Sequence, residues 1–171
     1  MAGFKGRAEN SIDAKGRVAV PASMRRYLRP EARETFVVTQ GMDQCIVLYP
    51  YDVWEDEIEP RINALDPFNR EEALLSRRVL MWTDEVTLDS QGRVTLPRDL
   101  MELVGLEPGE KARMLGVTNR IEVWAPSAYA AYLNGSAHSV AELAEKHLSR
   151  RAATPAADPS DAPAALTADA S

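Results

Sequence analysis

Two short clusters of charged side chains are the part of the sequence in which residue type and spacing suggest chemistry. In the first, Asp13 stands four residues ahead of Arg17, with Lys15 between them, and in the second Asp89 stands four residues ahead of Arg93. Guanidinium and ammonium groups bind phosphate because they supply positive charge and several N–H donors. The aspartates would repel phosphate, but a carboxylate that opens a tight turn accepts hydrogen bonds from nearby amides. The pattern therefore predicts phosphate binding by turns that the aspartates structure.

The two clusters belong to a segment that occurs twice. Residues 12–21 return 76 residues later as residues 88–97, and Asp, Gly, Arg, Val and Pro are identical in both copies. Each copy predicts a strand, a tight turn and a second strand whose residues alternate between two faces. Gly16 and Gly92 would supply the positive φ that closes each turn. The proline that ends each copy stops the second strand and suits the first turn of a short helix.

Charge is distributed unevenly along the chain. The net charge of the 171 residues is −6, yet residues 1–33 hold eight Lys and Arg against three Asp and Glu, a net charge of +5. In the second copy, residues 84–113 have a net charge of −3. A basic segment of this kind is the electrostatic footprint expected where phosphates are met. The residues predicted to bind nucleic acid are Lys5, Arg7, Lys15, Arg17, Arg25 and Arg93.

Structural roles remain open for the same cations. Arg17 or Arg93 would, in this alternative, pair with its own aspartate across the turn and hold it, and this role suits Arg93 better because carboxylates surround it in the sequence. Arg25 would belong, with Arg26, to the solvated face of a short helix. The charge split favours the first copy as the contact surface.

The motif Asp-x-x-Gly-Arg-Val-x-Leu/Val-Pro, followed by a short helix, resembles the SpoVT-AbrB type of DNA-binding module. Two copies in one chain, preceded by Phe4-Lys5-Gly6, resemble the MraZ family over about residues 1–135. The resemblance implies a mainly β fold with short helices (α+β), in which the two repeats interleave into one small pseudo-twofold β-barrel flanked by helices. It also implies a homo-oligomeric ring that binds double-stranded DNA at repeated promoter boxes upstream of a division and cell-wall gene cluster.

The predicted organisation is a first repeat over 1–60, a connecting helical region over 61–82, a second repeat over 83–135, and a short helix and tail over 136–171. Residues Tyr51 to Ile58 are predicted to begin an acidic helix, and Pro60 is predicted to lie in the connection that follows. A second helix is predicted from Asp66, as its N-cap, to about Val79. Beyond residue 151 the chain is rich in Ala, Pro, Asp, Ser and Thr, which predicts a disordered tail.

Several functions are disfavoured by what the sequence lacks. It has no Gly-rich phosphate loop, nucleophile elbow or His-Glu-x-x-His pattern, so no enzyme is predicted and a small hydrolase has no catalytic constellation. The single cysteine, Cys45, and two histidines without ligand spacing predict no disulfide, metal or cofactor. With no long apolar run and no leader, the chain is predicted to be cytoplasmic and nucleoid-associated, without a membrane or small-molecule partner.

A partner-binding role is the alternative from a different class. AbrB-type antitoxins use a carboxy-terminal segment to neutralise a second protein, and residues 136–171 would serve that role here. Such antitoxins usually carry one copy of the module, and this chain has two. The duplication therefore favours DNA regulation.

Overall fold

The structure is a computed structural model that describes residues 3–151. The residues up to Asn134 form one compact unit, and those from Gly135 form another, which contains the last helix. The tail predicted over 152–171 lies outside the described residues.

The two repeats have the same order of elements. The first contains β1 (Arg7–Ser11), β2 (Arg17–Ala19), α1 (Ala22–Arg25), a 3-10 turn (Pro30–Ala32), β3 (Thr35–Gln40) and β4 (Ile46–Pro50). A helical arm over 51–80 follows, made of α2 (Tyr51–Val53), a π-helix (Trp54–Ile58), α3 (Glu59–Asn63) and α4 (Arg70–Leu80). The second repeat contains β5 (Asp84–Thr87), β6 (Arg93–Thr95), α5 (Arg98–Val104), β7 (Lys111–Val117), β8 (Arg120–Trp124) and α6 (Pro126–Gly135).

Strand pairing relates the repeats by a pseudo-twofold axis. The larger sheet has the order β1-β7-β8-β4-β3-β5, and exchanging each strand with its counterpart in the other repeat returns the same order. β2 and β6 pair with each other in a separate antiparallel ladder, in which Val18 lies opposite its counterpart Val94. At the centre of the larger sheet Val47 lies opposite its counterpart Glu122. The two repeats therefore interleave within one chain.

The predicted closed barrel is wrong, because the larger sheet is open. β1 pairs only with β7, and β5 pairs only with β3, so each is an edge strand among the described residues. β1 and β2 form no backbone ladder; instead the Asn10 side-chain amide donates to the Ala19 carbonyl oxygen at 2.6 Å. β2 and β6 are only three residues long, too short to bridge the two edges.

Both repeats supply the hydrophobic core. The largest fully buried side chains come from strands, from α1 and α5 and from the segments that adjoin them, and include Ile12, Met24, Phe36, Leu100 and Met114. A second, smaller cluster on the larger sheet contains the buried Cys45, whose pKa burial raises to about 12. The thiol therefore remains protonated at neutral pH and acts as a packing group.

The helical arm differs from the prediction at two places. The helix continues through Pro60 to Asn63. Within an α-helix, the ring of a proline clashes with the preceding turn and the proline lacks an N–H to donate. Here the preceding turn is a π-helix, which is wider and therefore accommodates Pro60. Helix α4 begins at Arg70, and its N-cap is Asn69 rather than Asp66. The Asn69 side chain accepts from the amides of Glu71 and Glu72, as an N-cap does.

The second unit contains α7 (Val140–Arg151). Its capping box is reciprocal: the Ser139 amide donates to the Glu142 carboxylate at 2.7 Å, and the Glu142 amide donates to the Ser139 hydroxyl at 3.2 Å. Hydrogen bonding by the Ser139 amide, and secondarily by its hydroxyl, holds the pKa of the Glu142 carboxyl below its ordinary range. None of the described helices is long and apolar enough to cross a membrane.

Candidate nucleic-acid interface

The β2–β6 ladder has one buried face and one outer face. Val18 and Val94 lie opposite each other and are buried in the core. Because side chains alternate along a strand, their neighbours point outward. Arg17 lies opposite Thr95, and Ala19 lies opposite Arg93. The outer face therefore presents one arginine from each repeat, related by the pseudo-twofold axis.

The first turn holds Arg17 through Asp13. The Asp13 carboxylate accepts hydrogen bonds from the amides of Lys15 and Arg17, both at 2.9 Å, and from Arg17 Nε at 2.6 Å. Gly16 closes the turn with a φ of 79°. Among the described residues, the two terminal nitrogens of Arg17 make no hydrogen bond. Asp13 thus fixes the near side of the guanidinium and leaves its far side available.

The second turn repeats this geometry. The Asp89 carboxylate accepts from the Gln91 and Arg93 amides, both at 2.9 Å, and from Arg93 Nε at 2.8 Å. Arg93 differs from its counterpart because its Nη1 also lies 3.8 Å from the Asp13 carboxylate of the first repeat. Arg93 therefore has two carboxylates within ion-pair distance, whereas Arg17 has one. Its side chain is 26% exposed, against 33% for Arg17.

Hydrogen bonding stabilises the charged form of both aspartates. The Arg17 amide, then the Arg17 side chain, holds the pKa of Asp13 below its ordinary range. The Arg93 amide and side chain do the same to the pKa of Asp89. Both carboxylates are therefore ionised at neutral pH and both turns are held in the same way.

Arg25 lies against the turn of the other repeat. Its Nε donates to the Val20 carbonyl oxygen at 3.0 Å, and a Cβ added to Gly92 would meet the Arg25 guanidinium carbon at 2.6 Å. The corresponding neighbour of Gly16 is Met101, whose sulfur would lie 3.5 Å from an added Cβ. Although Arg25 belongs to the first repeat, its charge lies beside the second turn. The two turns therefore differ less in the positive charge around them than the net charges of the two sequence copies indicate.

Lys5 and Arg7 are separated from the ladder. Arg7 lies opposite Leu115 at the start of β1, and the four residue steps to Ser11 at the far end of β1 span about 13 Å. Lys5 precedes it and packs its backbone beside Gly116. The structure therefore brings together Lys15, Arg17, Arg25 and Arg93 around the ladder, and places Lys5 and Arg7 along the neighbouring edge strand.

Two residues of this surface were missed by sequence reasoning. Thr95 lies directly opposite Arg17 on the outer face, and applying the two-residue strand period to the second copy would have found it. Asn10 ties β1 to β2 through its 2.6 Å bond to the Ala19 carbonyl oxygen. The predicted turn brings these two residues near each other, but no sequence pattern indicates that a side chain, rather than the backbone, joins the two strands.

Comparison with known proteins places the repeats in a family. A family model described as "MraZ protein, putative antitoxin-like" matches residues 4–78 and again residues 79–151. The chain is 33% identical over 126 residues to a protein of Bacteroides fragilis named Transcriptional regulator MraZ, covering 73% of this chain and 78% of the relative. It is 34% identical over 148 residues to the protein of that name from Cytophaga hutchinsonii, covering 86% of this chain and 96% of the relative.

Structural comparison adds little. The solution structure of PHS018 from Pyrococcus horikoshii matches 74% of this chain and 98% of its own, at 14% identity and a TM-score of 0.32.

The interleaved strands and the paired Asp-x-x-x-Arg turns define a tandem-repeat protein whose two modules complete each other. The two family-model matches and the identities over most of both chains identify the family. The chain belongs to the MraZ family.

Proposed function

We propose that this chain is a bacterial transcriptional regulator that binds double-stranded DNA through the outer face of the β2–β6 ladder. The relatives from Bacteroides fragilis and Cytophaga hutchinsonii are both named transcriptional regulators. The ladder face supports the proposal because it holds Lys15, Arg17, Arg25 and Arg93 within one small area. DNA affinity depends strongly on such cations, since each phosphate contact releases condensed counterions.

The observation that carries the proposal is the orientation of Arg17. Asp13 binds Arg17 Nε at 2.6 Å and leaves the two terminal nitrogens without a hydrogen bond among the described residues. A guanidinium held on one side and open on the other is pre-organised for a phosphate oxygen or a base edge. The aspartate therefore orients the arginine toward DNA although it subtracts charge from the surface.

The regulatory mechanism follows from repeated weak contacts. We propose that a homo-oligomeric ring presents several ladder faces to repeated boxes in a promoter, and that the bound ring occludes the promoter without a cofactor or a catalytic step. Linked contacts raise overall affinity because each later contact is intramolecular. The proposed target is the promoter of a division and cell-wall gene cluster, and the protein would act in the cytoplasm, on the nucleoid.

A binding titration against DNA tests the proposal. The full-length protein is titrated into labelled duplex from upstream of its own gene and into a shuffled duplex of the same length, at several salt concentrations. We expect tighter binding to the upstream duplex and a linear fall of log affinity with log salt. Equal affinity for the two duplexes would contradict the proposal. Capture of a second protein without specific DNA binding would instead support the antitoxin-like alternative.

A further inference from the structure

A cavity of about 500 Å³ opens beside the start of the helical arm. Its walls include Phe4 and Tyr27, whose rings form an edge-to-face pair with centroids 6.1 Å apart. Asp52 and Val53 of α2 also line it. At the matching place of the second repeat, 75 residues later, the chain has Ser127 and Ala128. The combination of an aromatic wall and a carboxylate therefore belongs to the first repeat.

Asp52 is buried in this cavity without a hydrogen-bond donor. Its side chain is 6% exposed and lies 2.5 Å from an Arg29 terminal nitrogen, in an ion pair. That contact lacks hydrogen-bond geometry, and neither carboxylate oxygen accepts a hydrogen bond from the described residues. The ion pair offsets the charge of the carboxylate, and its two oxygens have further lone pairs that can accept hydrogen bonds from added N–H donors. The cavity is thus suited to a group that brings an N–H donor together with an apolar or aromatic body.

Such a group is displayed on the loop between α3 and α4. The Phe68 side chain is 94% exposed, which is unusual for a phenylalanine. The loop beneath it is braced, since the Phe68 amide donates to the Asp66 carboxylate at 2.9 Å and the Asp66 amide donates to Glu72 at 2.7 Å. The aromatic ring is therefore presented on a pre-organised turn.

Donors lie immediately beside the exposed ring. The next residue, Asn69, uses its side-chain oxygen to cap α4, and its side-chain NH2 donates no hydrogen bond among the described residues. Arg70 follows, exposed and without an ion pair among the described residues. The loop also stands at the amino-terminal end of an eleven-residue helix, where the backbone carries partial positive charge. The loop thus offers an aromatic ring and N–H donors, and the cavity offers aromatic walls and a carboxylate.

The loop and the cavity lie at opposite ends of one helical run. Residues 51–63 are helical throughout, and 13 residues at the α-helical rise span about 20 Å. Asp52 is at the start of this run and Phe68 lies beyond its end. The two surfaces of one chain are therefore kept apart, but they can meet when chains follow one another head to tail. Contacts of that kind close into rings when the rotation between successive chains allows it.

We infer that the Phe68 loop of one copy of this chain inserts into the Asp52 cavity of the next copy. The inference rests on the proposed ring and names the surfaces that would build it. The ring of Phe68 would pack against Phe4 and Tyr27, and Asn69 or Arg70 would donate to the Asp52 carboxylate. Every chain would use one loop and one cavity, so the contact joins two different surfaces.

Two variants separate the halves of this contact. Phe68→Asp removes the aromatic ring and adds a carboxylate that Asp52 would repel. Glu57→Trp places a bulky ring at the cavity mouth, at an exposed position of the π-helix. The matched controls are Met42→Asp, at a side chain that is also 94% exposed, and Glu59→Trp, at another exposed position of the arm. Neither control residue lines the cavity.

Light scattering on the full-length chain provides the test. We expect wild type and both controls to be oligomeric and each of the two variants to have the 18.9 kDa mass of one chain. Mixing the two variants should give a dimer of twice that mass, because one intact loop and one intact cavity then remain. The inference would be overturned if the wild type were monomeric or if either variant kept its oligomers. It would also be overturned if the mixture stayed monomeric while both variants kept the circular dichroism of the wild type.

The result is separable from that of the proposed function. DNA titrations of the monomeric variants should show binding to a single box that is weaker than for wild type, because avidity is lost. Oligomers that fail to bind DNA would remove the proposed function and leave this contact intact. Monomers that bind as tightly as wild type would leave DNA binding intact and remove the role of the ring.

Discussion

The turn around Asp13 and the turn around Asp89 have nearly identical backbones and different surroundings. In each turn, the carboxylate accepts hydrogen bonds from two backbone amides at 2.9 Å and from one arginine Nε. Only in the second does the arginine have another carboxylate within ion-pair distance, at 3.8 Å, and only there does Arg25 cover the glycine. Duplication has preserved the local hydrogen bonds and changed what lies beside them. A turn can thus be kept for its geometry while its contribution to binding differs.

The largest effect should come from the two ladder arginines. We expect Arg17→Ala to reduce DNA affinity roughly tenfold or more for each engaged subunit, because a charged contact is lost and its loss is multiplied in an oligomer. Arg93→Ala should cost less, since Asp13 and Asp89 both compete for its guanidinium. Titrations at several salt concentrations measure the two effects, and circular dichroism checks folding. Equal losses would mean that both repeats contribute equally.

Glycine substitutions should affect stability in both turns. Gly16 has a φ of 79° and Gly92 a φ of 72°, so alanine at either position is strained by about 1–2 kcal/mol. Gly16→Ala should cost more, because its Cβ would lie 3.2 Å from the Leu96 carbonyl oxygen of the backbone, whereas Gly92→Ala meets the movable Arg25 side chain. Denaturant melts give the two free energies of unfolding. The reverse order would show that Arg25 is held rigidly.

Removing Arg25 should reduce DNA affinity by a smaller factor. Arg25→Met gives the second turn the kind of neighbour that Met101 is to the first. We expect the slope of log affinity against log salt to become shallower by about one unit per engaged subunit. Arg26→Met is the control, since it removes the same charge from the adjacent exposed residue. If the control changes the slope as much, the position of Arg25 over Gly92 has no special role.

The smallest effect concerns the stability of the two turns at low pH. The folded-state pKa values of Asp13 and Asp89 are lowered, so each aspartate stabilises its turn above its ordinary pKa of 3.8 and ceases to do so as pH falls through the lowered value. Carboxyl-carbon NMR should give midpoints below 3.8 for both residues. Arg17→Ala should raise the midpoint of Asp13 and leave that of Asp89 unchanged. A midpoint at or above 3.8 in the wild type would show that these hydrogen bonds do not persist in solution.

The repeat made much of the fold predictable from sequence. A strong pattern occurring twice indicates the strands of both copies, and Gly105, with a φ of 74°, ends α5 as a left-handed cap should. The pairing of strands between the two copies was harder to predict from the sequence. The resemblance implied interleaving but also a closed barrel, whereas the lengths of β2 and β6 leave an open sheet. The π-helix ahead of Pro60 had no sequence signal beyond the proline itself.

The candidate site was predictable in composition and less so in arrangement. Summing charges along the chain assigned Arg25 to the first copy, and the fold lays it on the turn of the second. That contact joins Arg25 and Gly92, which are 67 positions apart in the sequence, and it depends on the β2–β6 pairing. Lys5 and Arg7 are near the motif in sequence, yet β1 carries them away from the ladder. Sequence proximity is therefore a poor guide to which cations share a surface.

The central claim is that DNA meets the outer face of the ladder, and a charge-matched pair of double variants tests it most directly. The first double variant, Arg17→Ala with Arg93→Ala, removes two positive charges from that face. The second, Arg77→Ala with Arg78→Ala, removes two positive charges from exposed positions of α4. Fluorescence anisotropy with the labelled upstream duplex, at one salt concentration, compares both with wild type. We predict that the ladder variant loses specific binding and that the α4 variant binds nearly as wild type does. Equal losses in the two variants, with both folded, would contradict the account.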